Sequence, residues 1–240
     1  MKISVITSTY NRKDFLIECI SSVQKTILLP LRNEVQFEHI IYDDGSTDGT
    51  EKIFENHNYI NLKFIRNTDN HGQAYGRNRA VEAATGEYLF VLDSDDILLQ
   101  RTLFNFADIA RKNPDTLWFV SDFLRVDDQL RYLPGQDYFG WNFKNVEEIL
   151  NAIFKGEHYI QHNVFFKKEL FLKSGGYDEK MHMAEDLDVF VKFLLNKSFP
   201  IYTNFLSHLH RTHLSNLSKD MNLEVHKKDA QVLFEKYKNR

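Results

Sequence analysis

Short apolar runs, each closing in a polar loop and followed by helical spacing, recur along the first 120 residues of this chain. The runs are Ile3 to Ser8, Phe37 to Tyr42, Leu62 to Arg66, Tyr88 to Leu92 and residues 116–121. The helical stretches are Asp14 to Lys25, Thr50 to Glu55, Ala74 to Ala84 and residues 98–112. Apolar strands alternating with helices predict an α/β fold, a mostly parallel sheet covered on both faces. In such sheets ligands bind beyond the carboxyl ends of the strands. The loops Thr9 to Arg12, Asp43 to Asp48 and Asp93 to Asp96 are therefore expected to face one cleft.

The second half is less regular. A hairpin is predicted over Phe123 to Leu133, turning at Asp127-Asp128, then a helix over Val146 to Phe154 and a strand over Asn163 to Phe166. Gly175-Gly176 is expected to end a helix over Glu169 to Ser174. Further helices are predicted over Glu185 to Leu195 and over residues 219–238, the last with Met221, Val225, Leu233, Phe234 and Tyr237 as packing positions. With 240 residues and 42% hydrophobic content, one unit with two lobes is expected. The boundary falls near residue 120, with a smaller mixed lobe after it.

A net charge of -4 gives no basic footprint for nucleic acid. The one cysteine, Cys19, lies in the apolar pattern of the first helix and reads as a packing residue. The longest apolar run, Tyr88 to Leu92, is far shorter than the ~20 residues that span a bilayer. The chain enters a strand at Lys2 with no room for a signal peptide, so a cytoplasmic protein is expected. Peripheral contact with the inner face of a plasma membrane stays compatible with the basic terminal helix, although a solvated face is the plainer reading of those charges.

Three carboxylates, Asp93, Asp95 and Asp96, follow the fourth strand within four positions. In a continued strand Asp93 and Asp95 point to the same side. Paired hard oxygen donors suit Mg²⁺ or Mn²⁺, and adjacent like charges call for a cation. The plainer reading is a cap for a helix starting near Ile97. Asp-x-Asp also occurs in Mg²⁺-dependent phosphatases, where the first Asp is a nucleophile, although on the first strand.

In the second loop, Asp43 and Asp44 are candidates for a base imide or ribose hydroxyls, while Ser46, Thr47 and Asp48 read as turn and cap residues. Thr9, Tyr10 and Asn11 close the first strand with backbone groups and a ring suited to a base. The segment Asn70 to Arg79 opens a helix whose N-terminus favours anions, with Gly72 in its turn and Arg77 adding a cation. His208, His210 and His213 do not match a tetrahedral zinc pattern, and no zinc cluster is expected from them.

Taken in order, Ser4-Val-Ile-Thr-Ser-Thr-Tyr-Asn11, Asp43-Asp-Gly-Ser-Thr-Asp48, the Asn70-x-Gly…Arg77-Asn78 helix start, Gly86-Glu87-Tyr88 and Leu92-Asp-Ser-Asp-Asp96 resemble the family 2 glycosyltransferases of GT-A fold. The likeness is strongest over residues 2–100, continues through Gly175-Gly-Tyr-Asp-Glu179 and Ala184-Glu-Asp-Leu-Asp188, and ends near Ser218. It implies an inverting transfer of a hexosyl or N-acetylhexosaminyl group from a nucleotide sugar, often a UDP-sugar. The implied acceptor is a glycan or lipid-linked hydroxyl, as in bacterial surface polysaccharide synthesis.

By that resemblance Asp44 binds the base, and Asp93 and Asp95 hold Mn²⁺ or Mg²⁺, Asp95 more closely. Ser94 lies at the donor, Asp186 is the general base, and His213 stands at the diphosphate or metal. Asp178 and Glu185 fall on the acceptor side, although a turn explains Asp178 as well, and acids at a helix start are favourable in any case. Two rival readings are a phosphatase built on Asp93 and a non-catalytic nucleotide-sugar binder.

Overall fold

The computed structural model describes residues 1–28, 35–55, 57–135, 143–155, 163–214, 216 and 223–239; in the last helix, side chains are described from residue 228 onward. The elements run β1 (Lys2–Thr9), α1 (Lys13–Ile27), β2 (Gln36–Asp43), α2 (Lys52–Glu55), β3 (Leu62–Arg66), α3 (Gln73–Ala83), β4 (Tyr88–Val91) and β5 (Ile97–Leu98). They continue α4 (Thr102–Lys112), β6 (Trp118–Val126), α5 (Val146–Lys155), β7 (Phe165–Lys167), α6 (Lys168–Lys173), α7 (Glu185–Leu195), β8 (Ile201–Arg211) and α8 (Leu223–Tyr237).

Among the described residues one eight-stranded sheet, in the order β3-β2-β1-β4-β7-β6-β8-β5, carries the fold. β1 pairs in parallel with β2 and β4, β2 with β3, and β6 with β8. β7 is antiparallel to both β4 and β6, and β5 is antiparallel to β8. β6 therefore does not simply extend the parallel series, because β7, arriving from far along the chain, separates it from β4. The chain steps outward from β1 to β3 and then returns to the other side of β1 for β4. That reversal is a topological switch point, where α/β sheets open a crevice at the strand ends. All four β4 residues are buried, as expected of a strand covered on both faces.

The helices form for legible reasons. Leu16, Cys19, Ile20 and Val23 of α1, and Leu103, Phe106, Ala107 and Ala110 of α4, place apolar side chains on one stripe, and all are buried. α7 is buried on almost every side, with Phe190 stacked on Trp118. One core cluster joins Ile6 and Ile40 of the first half to Phe190, Leu233 and Tyr237 of the second. α6 stops where expected: Gly175 and Gly176 have φ of 81° and 69°, and the Gly176 N–H returns to the Phe171 carbonyl, satisfying an end carbonyl of the helix.

Several boundaries differ from expectation. The helix predicted from residue 98 begins at Thr102, because Ile97–Leu98 instead pairs with β8. Neither Asp95 nor Asp96 is therefore a cap for it. β8 itself went unassigned in the sequence. The hairpin after β6 is short, bridging Val126 to Tyr132 around Asp127 to Arg131. On α8, Leu233 and Tyr237 are buried as expected but Phe234 is 47% exposed. Met221 and the Val225 side chain lie outside the described set, as does residue 218. Among the described residues no helix is long and apolar enough to cross a membrane.

Candidate functional site

The ends of β1, β2 and β4 meet at one edge, and a cleft there is lined by Ser8, Thr9, Tyr10, Arg12, Asp44 and Ser94 with residues 70–74 and Glu179, Met181 and His182. Thr9, Tyr10, Asp44, Gly72 and Ser94 are thus the sequence candidates that reach its wall.

Asp43 and Asp44 are adjacent yet serve different ends. Asp43 is fully buried, accepts the Ser46 N–H at 3.0 Å and pairs with Arg66 at 3.4 Å. Burial pushes its carboxyl above the ordinary range. It holds the turn and, contrary to expectation, does not line the cleft. Asp44 Oδ2 accepts two backbone N–H groups, from His71 at 2.8 Å and Gly72 at 2.7 Å, which locks the carboxylate in place. Its Oδ1 is buried with no hydrogen-bond partner, and so is Thr9 Oγ1. Buried acceptors without partners are rare and costly, so this pair marks a place for an incoming donor. The approach of residues 69–72 depends on Gly45 (φ 83°), where a Cβ would sit 2.7 Å from the Asp69 carbonyl carbon.

Asn11 is a stitch rather than a wall of the cleft. Its Oδ1 accepts the Thr47 N–H at 2.8 Å, and its own N–H donates to Ser46 Oγ at 2.8 Å. Asp48 Oδ2 accepts the Lys13 N–H at 2.9 Å, capping α1 from the neighbouring loop, in line with the cap reading of that stretch.

The acidic segment is a turn, closed by the Asp96 N–H to the Asp93 carbonyl at 3.1 Å, not a continued strand. The three carboxylates consequently find three different environments. Asp93 pairs with Arg77 at 2.8 Å. Asp95 Oδ2 lies 2.9 Å from His213 Nε2 and 3.5 Å from Arg12. Asp96 is 1% exposed and turned inward, and burial raises its carboxyl from the ordinary value. Of the expected metal residues Asp93, Asp95 and His213, the turn brings Asp95 and His213 together, while Asp93 pairs with a guanidinium.

Two ligand atoms 2.9 Å apart fit adjacent positions around an octahedral ion with ~2.1 Å bonds, which places neighbours ~3.0 Å apart. His213 is positioned by stacking on Phe15 at 4.3 Å, and the adjoining Arg211 by an ion pair with Glu18 at 2.6 Å. Arg12 Nη1 is 3.0 Å from His213 Nε2. Arg12 falls in a loop expected at the cleft, but Phe15 and Glu18 were missed from the sequence because nothing in α1 announces its contact with residues 211–213.

Arg77 is 1% exposed and does not reach the cleft as a donor contact. Its guanidinium bridges Asp93 to Glu185, the latter at 2.6 Å, and the two carboxylates hold it firmly protonated. Glu185, expected at the acceptor, is likewise buried, pushed up by burial and bonded also to Gln73. The bridge ties α3, the acidic turn and the start of α7 together. Asp186, the next residue, stays partly exposed in the first turn of α7, its Oδ1 accepting the Leu187 N–H at 2.8 Å.

Asp178 is drawn away from the cleft by Lys236 of α8 at 2.8 Å, which holds its carboxyl below the ordinary range. Asp229 of α8, also missed, accepts the N–H groups of His182 and Met183 at 2.8 and 2.7 Å while 5% exposed. It fixes the strap that carries the cleft wall towards Asp186. Asp229→Ala is expected to lower unfolding free energy in urea by about 1.5–3 kcal/mol, the range for hydrogen bonds to a charged group, with Asp229→Asn recovering part of it.

The chain is similar to known proteins in sequence and in fold. An archaeal glycosyltransferase of Methanocaldococcus jannaschii, itself uncharacterized, is 30% identical over 209 residues, covering 85% of this chain and 69% of that protein. The poly(ribitol-phosphate) beta-N-acetylglucosaminyltransferase TarP of Staphylococcus aureus is 29% identical over 208 residues, covering 85% of this chain and 61% of TarP. The crystal structure of S. aureus TarS 1-349 in complex with UDP-GlcNAc matches the fold with a TM-score of 0.75 at 22% identity, over 98% of this chain and 66% of that one. A mannosyltransferase from Pyrobaculum calidifontis in complex with GDP-Man and Mn²⁺ matches with a TM-score of 0.62 at 18% identity, over 89% of this chain and 58% of that one. The model for glycosyl transferase family 2 matches residues 4–175, and the chain belongs to that family.

Proposed function

We propose that this chain is an inverting glycosyltransferase that moves a sugar from a UDP-linked donor to a hydroxyl of a cell-surface glycan or its lipid-linked precursor. The observation that carries the reading is Asp44, whose one oxygen is locked by two backbone N–H groups while the other is buried, without a partner, at the cleft. A uracil imide N–H is a donor that would complete it. Thr9 Oγ1 and the half-exposed ring of Tyr10 add a hydroxyl and a stacking face.

Asp95 and His213 suit Mn²⁺ or Mg²⁺, and when bound such an ion stabilises charge developing on a leaving diphosphate. Arg12, which lines the cleft and lies 3.5 Å from Asp95, adds a positive charge. In the transfer, the acceptor oxygen attacks C1, the C1–O bond to the diphosphate breaks with inversion, and Asp186 takes the hydroxyl proton. The Arg77 bridge supports this division of labour by fixing the start of the base-bearing helix against the acidic turn. A phosphatase nucleophile at Asp93 fits poorly, because that carboxylate is paired with a buried guanidinium.

The acceptor class rests on the relatives, since TarP is named for transfer to poly(ribitol-phosphate). The test is a thermal-shift screen of nucleotide sugars with Mn²⁺, followed by assay of released UDP with and without polyol-phosphate or lipid-linked acceptors. A UDP-sugar should raise the melting temperature and release UDP faster when the acceptor is present. Stabilisation with no UDP release under any acceptor would favour a non-catalytic binder, and stabilisation by no nucleotide sugar would remove the proposal.

A further inference from the structure

Asp96 and two histidines of β8 make a cluster outside the donor cleft. His208 and His210 are two apart on one strand and so project from the same face. Asp96 Oδ2 lies 3.9 Å from His208 Nε2 and 3.6 Å from His210 Nδ1, and the three ligand-type atoms all fall within 4.8 Å of one another. We propose that Asp96, His208 and His210 form a second divalent-metal site, of the kind that takes Zn²⁺, which pins β8 to the acidic turn. The three histidines taken as a set gave no zinc pattern in the sequence; the set brought together here exchanges His213 for a carboxylate from another segment.

The surroundings orient the ligands. Ser207 Oγ donates to the Asp122 carbonyl at 3.3 Å, so at 2.7 Å it accepts the N–H of His208 Nδ1. That tautomer leaves the Nε2 lone pair facing Asp96. A hydrogen-bonded second nitrogen is the usual support of a metal-bound imidazole. The Asp96 carboxylate is itself oriented by the Arg211 N–H on Oδ1 and by Asn163 Nδ2 on Oδ2, both at 2.9 Å. His210 Nδ1 is buried and makes no hydrogen bond, and Asn163 Oδ1 is buried with no hydrogen-bond partner.

Tetrahedral ligands at ~2.0–2.1 Å from an ion sit ~3.4 Å apart, so the carboxylate–imidazole spacings of 3.9 and 3.6 Å would each have to close by about half an ångström or less on binding. Imidazole with carboxylate favours a borderline ion over Mg²⁺, which prefers oxygen donors. Asp96 and His208 are each 1% exposed, so the three ligands would hold the ion away from the cleft, with a fourth position left for water.

The donor-side ion must be kept apart from this one, so the test uses the Asp95→Ala variant of this chain, dialysed against a chelator and titrated with Zn²⁺ by calorimetry. One equivalent of Zn²⁺ is expected to bind, and adding His210→Gln should weaken it by about a hundredfold or more. Co²⁺ in place of Zn²⁺ should give the intense visible bands of a tetrahedral site in Asp95→Ala. Melting temperatures without metal check that the double variant folds; if it does not, the Co²⁺ spectrum of Asp95→Ala decides. No Zn²⁺ uptake by Asp95→Ala overturns the proposal. Uptake that survives His210→Gln, or weak octahedral Co²⁺ bands, overturns it too, and leaves the cluster as a carboxylate that shares a proton with His210.

Discussion

Asp186→Asn is expected to lower sugar transfer by about 10²–10⁴-fold, the contribution of a positioned general base, while leaving UDP binding unchanged. The variant is well suited to separating chemistry from structure. Asp186 Oδ1 accepts the Leu187 N–H at 2.8 Å, and an Asn oxygen can keep that bond. What the amide cannot do is take a proton from the acceptor hydroxyl. Steady-state release of UDP, beside calorimetry of UDP alone, measures the two effects separately. Transfer at the wild-type rate would remove Asp186 from the mechanism and leave the glycosyltransferase assignment in need of another base.

Arg77→Met should have the largest effect on stability, about 3–5 kcal/mol of unfolding free energy. That is the cost of breaking a buried ion pair by deleting one partner. The guanidinium is 1% exposed and stands between Asp93 and Glu185, so its loss leaves two carboxylates in a poorly solvated place with no cation. For a domain of this size the melting temperature should fall by on the order of 10 °C. Adding Glu185→Gln removes one stranded charge and should recover part of the loss, a coupling that a double-mutant cycle reads directly. Equal destabilisation in the single and double variants would show that the bridge contributes no charge neutralisation.

The parts of this fold legible in the sequence are those written locally. β1 through β4 show as apolar runs with helices between them, and their polar ends identify the cleft edge without any knowledge of long-range pairing. The second half is assembled by distant contacts. β7 is three residues long and slots antiparallel between β4 and β6, and β5 has only two residues, so neither carries a period to detect. β8 mixes Thr, Asn, Ser and His and is only patchily buried, which hides its alternation.

The site shows the same division. Candidate loops could be named, but the sequence could not distinguish Asp43, pulled onto Arg66, from Asp44, left with an oxygen at the cleft. Nor could it show that a tight turn parts Asp93 from Asp95, or that Arg77 faces inward. Those outcomes depend on which partner side chain arrives, and the partners lie as far as 118 residues away.

The account rests on one cleft holding a base at Asp44 and a metal-bound diphosphate at Asp95 and His213. Calorimetry of UDP with and without Mn²⁺, on wild type, Asp44→Ala and Asp95→Ala, tests this most directly. Binding to wild type should be strengthened by Mn²⁺, Asp95→Ala should abolish that strengthening, and Asp44→Ala should weaken UDP with the metal present. UDP binding that ignores Mn²⁺ and both substitutions would contradict the account.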